Sequence, residues 1–315
     1  MRNLRIVFMG TPEFAVNSLQ EIIKANYNVV GVVTAPDKPA GRGRKLQQSA
    51  MKEYALSQGL PILQPTNLKS PEFIAELKQL NANLQVVVAF RMLPKLVWKL
   101  PEYGTFNLHA SLLPQYRGAA PINWAIINGE TITGVSTFFI DEKIDTGAMI
   151  LQKEVSISPD ENVGGLHDKL MITGAKLILD TLELIKNETV NSQKQNDHPL
   201  LKDAPKLTKE NTRINWEASV NQIYNHIRGL DPYPAAWSFF QNGKEQNVIK
   251  IFEVGISYDS HEFKVGKLIL DDRELKVAVR EGFLILKEIQ LPGKRKMKTK
   301  ELLNGYHFDS EAKVL

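Results

Sequence analysis

Three polar residues of this chain have the types and spacing for chemistry on a carbonyl group. Asn107 and His109 flank Leu108 in the extended stretch FNLHASLLP, so their side chains leave one face of a strand while Leu108 points into the sheet. A carboxamide beside an imidazole suits proton transfer and the stabilisation of an oxyanion, for which a preorganised donor contributes about 3–4 kcal/mol. Taken alone, Asn-x-His reads first as a satisfied histidine ending a strand. The run Asp141-Glu142-Lys143-Ile144-Asp145-Thr146-Gly147 supplies a carboxylate in Asp145. That run is also readable as a solvated loop, or as an Asx turn in which Asp145 supports its own backbone. Together, Asn107, His109 and Asp145 suit acyl transfer to an amine, with a base for the amine proton and donors for the tetrahedral intermediate.

Competing chemistries are weaker. A Ser/His/Asp triad would use Ser111, but no G-x-S-x-G elbow surrounds it, and it sits only two residues from His109 on the same strand end. Gly10-Thr11-Pro12-Glu13 has one glycine where a dinucleotide fingerprint needs three. Gly243-Lys244 and Gly266-Lys267 lack the upstream glycine and downstream hydroxyl of a phosphate loop. A bound dinucleotide or nucleoside triphosphate is therefore not expected. The 315 residues contain no cysteine, which removes thiolate nucleophiles, disulfides and cysteine metal sites and fits a reducing compartment. The opening MRNLRIVFMG reads as a strand and not a signal peptide, and no apolar run reaches the ~20 residues of a membrane span.

An alternating α/β fold would position these groups. Residues 4–9 are a continuous apolar run, the pattern of a parallel strand buried on both faces. Gly10 permits a tight turn, and Thr11 is placed to cap a helix with Pro12 at its first position. Strands over 28–34 and 84–90, with helices over 52–58 and 71–80, imply right-handed crossovers and a doubly wound, Rossmann-like sheet. The stretch 105–109 then ends at the carboxyl edge, where open α/β sheets hold ligands. Further on, the sequence predicts a short helix over 121–128, antiparallel strands over 134–140 and 148–157, and an amphipathic helix over 166–186. Residues 190–207 lack apolar periodicity and read as a linker. After a helix over 218–228, strands over 248–256, 266–270, 275–279 and 283–290 predict a small OB-like β-barrel. The domains expected are thus 1–189, catalytic, and 208–315, the barrel.

The charge is local. Residues 1–189 hold 19 Lys and Arg against 18 Asp and Glu, and residues 190–315 hold 20 against 17, which accounts for the formal +4. Two runs stand out: KPAGRGRK over 38–45 and KRKMKTK over 294–300. Solvated surface is the plain reading of each. The first is a glycine-rich insertion near the presumed site, and the second sits in a hairpin of the barrel, where it would contact phosphates.

FNLHASLLPQYRGAAPINWAIINGE followed by IDTGAMI resembles the signature of the 10-formyltetrahydrofolate-dependent formyltransferases. The resemblance runs through nearly the whole chain, by way of FMGTPEFAV, VVTAPDKPAGRGRKL, VVVAF, KLTKENTRINW and IRGLDPYPAAW in that order. It implies 10-formyltetrahydrofolate as the formyl donor, with no metal, and the α-amino group of methionyl initiator tRNA as acceptor. Asn107 and His109 would meet the oxyanion, and Asp145 would orient or deprotonate the amine. Ser111, Leu112, Leu113 and Pro114 would form the folate-binding loop. Arg42, Arg44 and Lys45 would wedge into the acceptor stem, and Lys294, Arg295, Lys296 and Lys298 would contact tRNA phosphates. A cytoplasmic monomer that needs no membrane is implied too. One departure is Phe90-Arg91 where the family has Tyr-Gly: a hydroxyl is lost, and arginine resists the positive φ that glycine allows. The alternatives are a formyltransferase for a small amine, which would need neither basic run, and a non-catalytic RNA-binding protein, which leaves the Asn-His-Asp set unexplained.

Overall fold

β1 (Arg5–Gly10) is buried from Ile6 onward, as its unbroken apolar run dictates, and turns at Gly10 into α1 (Glu13–Lys24). A Cβ on Gly10 would lie 2.5 Å from that of Ala15, so glycine is what lets the helix start this close to the strand. The cap differs from the sequence expectation. Pro12 is the N-cap, without a side-chain hydrogen bond, and its carbonyl accepts from the amides of Ala15 and Val16. Thr11 instead turns its carbonyl to the Met51 amide.

The chain continues through β2 (Asn28–Val33), a small hairpin of β3 (Lys38–Ala40) and β4 (Lys45–Gln47), α2 (Ala50–Ser57), β5 (Ile62–Leu63) and α3 (Pro71–Gln79). Then come β6 (Leu84–Val88), α4 (Lys95–Trp98), β7 (Thr105–His109), β8 (Arg117–Gly118) and α5 (Pro121–Ile127). β9 (Ile132–Phe139), β10 (Met149–Ser156), α6 (Val163–Lys186) and β11 (Asp203–Ala204) follow. This computed structural model describes residues 1–40, 45–196 and 200–315. Seven strands form one sheet in the order β10-β9-β7-β6-β1-β2-β5. β1, β2, β5, β6 and β7 are parallel, and β9 and β10 are antiparallel at one edge. The strand order reverses between β1 and β6, the switch of a doubly wound Rossmann-like sheet. Met9, Val33, Phe73, Leu77, Val87 and Val97 pack together on it.

The remaining elements are α7 (Val220–Arg228), β12 (Ala236–Asn242), β13 (Glu245–Ser257), β14 (Leu268–Asp271), β15 (Glu274–Val279), β16 (Gly282–Gln290), β17 (Met297–Lys298), α8 (Thr299–Leu302) and β18 (Lys313–Val314). α7 begins at Ser219 in a full capping box with Gln222. The strand order is β14-β15-β16-β13-β12-β18. Val314 N–H donates to Gly266 O at 2.8 Å and Leu268 N–H to Ala312 O at 2.9 Å, which ties β18 to the start of β14 and closes the barrel. Ile223 and Ile227 of α7 share its core with Phe240, Ile249, Val277 and Leu284. Absent from the expectation was β12, whose buried positions do not alternate strictly.

By contact density the chain forms two compact units, Met1–Gly118 with Ile132–Ser156 and Asp168–Asp203, and Ala119–Thr131 with Ile157–His167 and Ala204–Leu315. Among the described residues no helix is long and apolar enough to cross a membrane.

Candidate active site

β7 is hydrogen-bonded on both edges, parallel to β6 and antiparallel to β9, so its side chains stand in fixed alternation. Asn107 lies opposite Val87 and Phe138, and His109, the last residue of the strand, lies opposite Ser136. Asn107 is half-buried, and no described residue takes its carboxamide as a hydrogen-bond partner. His109 is almost fully buried, and its Nε2 lies 2.8 Å from the carbonyl of Tyr116. A carbonyl only accepts, so Nε2 carries a proton and donates it. That leaves Nδ1 facing Oδ2 of Asp145 at 3.7 Å.

Asp145 arrives from the loop between β9 and β10. Its Oδ2 accepts the Gly118 amide at 3.0 Å, and its backbone holds φ at +54°. This left-handed conformation costs an L-residue on the order of 1 kcal/mol, so the surroundings must impose it. Gly147 is part of that imposition. A Cβ there would stand 1.6 Å from the carbonyl oxygen of Phe139, so only glycine lets the loop press onto β9. The acids of the loop are sorted by their partners. Asp141 is the turn-supporting residue, accepting from the Lys143 amide at 3.0 Å and the Thr146 hydroxyl at 2.8 Å. Glu142 pairs with Lys95, whose ammonium holds the carboxyl below its ordinary range. Only Asp145 is turned to the histidine.

Ser111 donates its hydroxyl to Gln115 O at 2.6 Å, and both His109 nitrogens face other groups, so the triad arrangement is not formed. Four backbone groups of loop 111–114 have partners within the protein. Ser111 O accepts from the buried Ser136 hydroxyl, Leu112 O from the Gln115 amide, and Leu113 O from Gln152, while the Leu113 amide donates to Ser136. These partners hold the loop from behind, at a cis Leu113-Pro114 bond, with the Leu113 side chain buried.

Phe90-Arg91 proves compatible with this backbone, because the positive φ (+46°) falls on Ala89. The Arg91 guanidinium donates to Thr66 O at 3.0 Å and to Pro65 O, and lies over the Phe90 ring. Arg91 also lines a cavity of about 1100 Å³ with Leu68, Lys69, Met92, Leu96 and Lys99, on the carboxyl side of β6. Its apolar walls and cations fit a ring system that carries carboxylates.

Arg42, Arg44 and the side chain of Lys45 lie outside the described residues. Of the barrel cations, Lys294, Arg295 and Lys298 are exposed in or beside the turn from β16 to β17. Lys296 is engaged instead, 2.7 Å from Glu288 and 3.5 Å from Asp231, with its ammonium over the Phe252 ring. Burial pulls its pKa down, but the two carboxylates outweigh that and hold it above the ordinary lysine value. Sequence reasoning also missed Gln195. It lies in the stretch 190–207, where no periodicity marks it, yet it is buried and hydrogen-bonded to Asp145 O, Gly147 O and Arg117.

A family model described as formyl transferase matches residues 4–182, and one described as formyl transferase, C-terminal domain, matches residues 206–307. The chain is 60% identical to the methionyl-tRNA formyltransferase of Flavobacterium johnsoniae, over 100% of both chains. It is 53% identical to that of Bacteroides thetaiotaomicron, over 99% of this chain and 98% of the other. Two solved structures share the fold at low identity. HypX from Aquifex aeolicus in complex with tetrahydrofolic acid matches 96% of this chain and 47% of its own with a TM-score of 0.65 at 17% identity. An N-formyltransferase from Helicobacter canadensis, in complex with folinic acid and dTDP-3-aminofucose, covers 90% of this chain and 98% of its own with a TM-score of 0.65 at 23% identity. With both family models matched and such identity over the full length, the chain belongs to the formyl transferase family, among its methionyl-tRNA formyltransferases.

Proposed function

We propose that this enzyme moves the formyl group of 10-formyltetrahydrofolate to the α-amino group of methionyl initiator tRNA, giving N-formylmethionyl-tRNA. The observation that carries the reading is the anchored His109 at the end of β7, with Asp145 3.7 Å from its Nδ1 and the unpartnered Asn107 carboxamide on the same strand face. The amine attacks the formyl carbon, and Asn107 N–H donates to the oxyanion that forms, joined by Nδ1–H once the ring is protonated. Asp145 takes the amine proton, which passes by way of His109 to N10 of the folate as the C–N10 bond breaks. One C–N bond forms, one breaks, and the proton ends on the leaving nitrogen. The cavity beside Arg91 suits the folate, its apolar walls taking the rings and its cations the carboxylates.

The division of labour follows the sequence: residues 1–189 carry the transfer, 190–207 connect, and 208–315 hold RNA through Lys294, Arg295 and Lys298, with Arg42, Arg44 and Lys45 as a wedge in the acceptor stem. Acting on charged tRNA, the enzyme works in the cytoplasm, as a monomer. The test offers labelled donor with methionyl initiator tRNA, free methionine or an amino-sugar nucleotide. The tRNA is expected to lead in kcat/KM by about a thousandfold or more. Comparable turnover of either small amine would overturn the reading.

A further inference from the structure

The pair formed by His109 and Asp145 hangs on two chain segments that are distant in sequence. Tyr116 O anchors the His109 ring and Gly118 N–H anchors the Asp145 carboxylate, so both supports come from residues 116–118. The Asp145 backbone, at φ +54°, belongs to the loop between β9 and β10. The Gly118–Asp145 bond joins the two directly, and a second side chain bridges them. Gln195, 5% exposed, donates from Nε2 to Asp145 O and to Gly147 O, both at 2.9 Å. Its Oε1 accepts from Nη2 of Arg117 at 2.9 Å and from Nε at 3.3 Å. The backbone around it is fixed as well. Gln193 and Met149 exchange both N–H···O bonds, at 2.7 and 2.8 Å, which sets Gln195 two residues past a locked point.

We propose that Gln195 is a positioning residue for the transfer, clamping the Asp145–Gly147 backbone to Arg117 so that the Asp145 carboxylate is held at His109. The inference rests on the formyl-transfer reading for its rate consequence, and on geometry alone for its structural one. A carboxamide suits the role because it presents two donors to two carbonyls and an acceptor to a guanidinium at once. Glutamate would keep Arg117 but face both carbonyls with oxygen.

The test compares full-length Gln195→Leu and Gln195→Glu with the parent. Without reference to activity, hydrogen exchange of the amides over 141–147 is expected to quicken about tenfold or more in both variants. Unchanged exchange there would overturn the clamp even if no formyl transfer were ever found. In single-turnover formylation, the rate at saturating substrates is expected to fall about 10- to 100-fold with KM for charged tRNA within twofold. In an Asp145→Asn background the same substitutions are expected to add less than a twofold loss, because Gln195 acts through Asp145. Full additive losses, or a rise in KM with unchanged kcat, would show a merely structural role. Gln195→Glu keeps the Arg117 partner and supplies the same readouts should Gln195→Leu fail to fold.

Discussion

Nδ1 of His109 and Oδ2 of Asp145 stand 3.7 Å apart, within ion-pair reach but beyond a hydrogen bond, each held from its far side by the 116–118 segment. At that separation a reacting group lying beside the pair can be within hydrogen-bond reach of both. Replacing the carboxylate without disturbing its support tests this relationship. Asp145→Asn retains an oxygen for the Gly118 amide, so folding is expected to survive. The base is gone, and kcat is expected to fall about 100- to 10,000-fold with KM for charged tRNA nearly unchanged. Steady-state kinetics at saturating donor checks this, and a loss below tenfold would contradict the role.

The approach of the Asp145 loop to β9 depends on the missing side chain of Gly147. Gly147→Ala is expected to destabilise the protein by roughly 3 kcal/mol, at the upper end of what an overpacked methyl costs, because the obstacle is backbone. Thermal unfolding reads the outcome. A Tm within about 0.5 °C of the parent, a shift of well under about 1 kcal/mol, would mean the loop is free to step back.

The barrel cations separate by their partners. Alanine at Lys294, Arg295 or Lys298 is expected to lower tRNA affinity and reduce the slope of log Kd against log salt by roughly 0.8 for each phosphate contact removed. Lys296→Ala leaves Asp231 and Glu288 without their cation, and should lower Tm while leaving that slope in place. Filter binding across a salt series distinguishes the two. An equal slope change for Lys296 would contradict the assignment. Joint replacement of Arg42, Arg44 and Lys45 by alanine is expected to raise KM for charged tRNA several-fold; an unchanged KM would remove the wedge.

How much of this was legible in the sequence depends on periodicity. The buried runs at β1, β2 and β6 and the alternation at β7 announced the sheet and placed Asn107 and His109 on one face. The acidic loop could not be sorted by eye, because Asp141, Glu142 and Asp145 differ only in what they touch. Gln195 was invisible for a related reason: residues 190–207 have no pattern, and its partners Arg117, Asp145 and Gly147 lie far away in the chain. The loop at 111–114 was seen, but its backbone proved to be held by Ser136 and Gln152 of neighbouring strands. Such pairings follow from the register of β9 and β10, which no local signal carries.

His226 gives a pH signature. It lies on α7 with Nε2 buried and unpartnered among the described residues, and burial pushes its pKa below 6.5, opposed in part by a hydrogen bond to the Thr212 backbone. The native state therefore refuses a proton that the unfolded chain takes up. Its contribution is intact above pH 6.5 and lost as pH falls from there through the native pKa. His226→Gln is expected to flatten the decline of Tm with acidification in that window, measured against the parent by calorimetry. Parallel curves would contradict this.

The most direct test of the central claim is the single-turnover rate of His109→Asn on methionyl initiator tRNA with 10-formyltetrahydrofolate, beside the Kd of the same variant for that tRNA. A fall in rate of about a hundredfold or more at unchanged Kd is the expected result. A rate within threefold of the parent would contradict it.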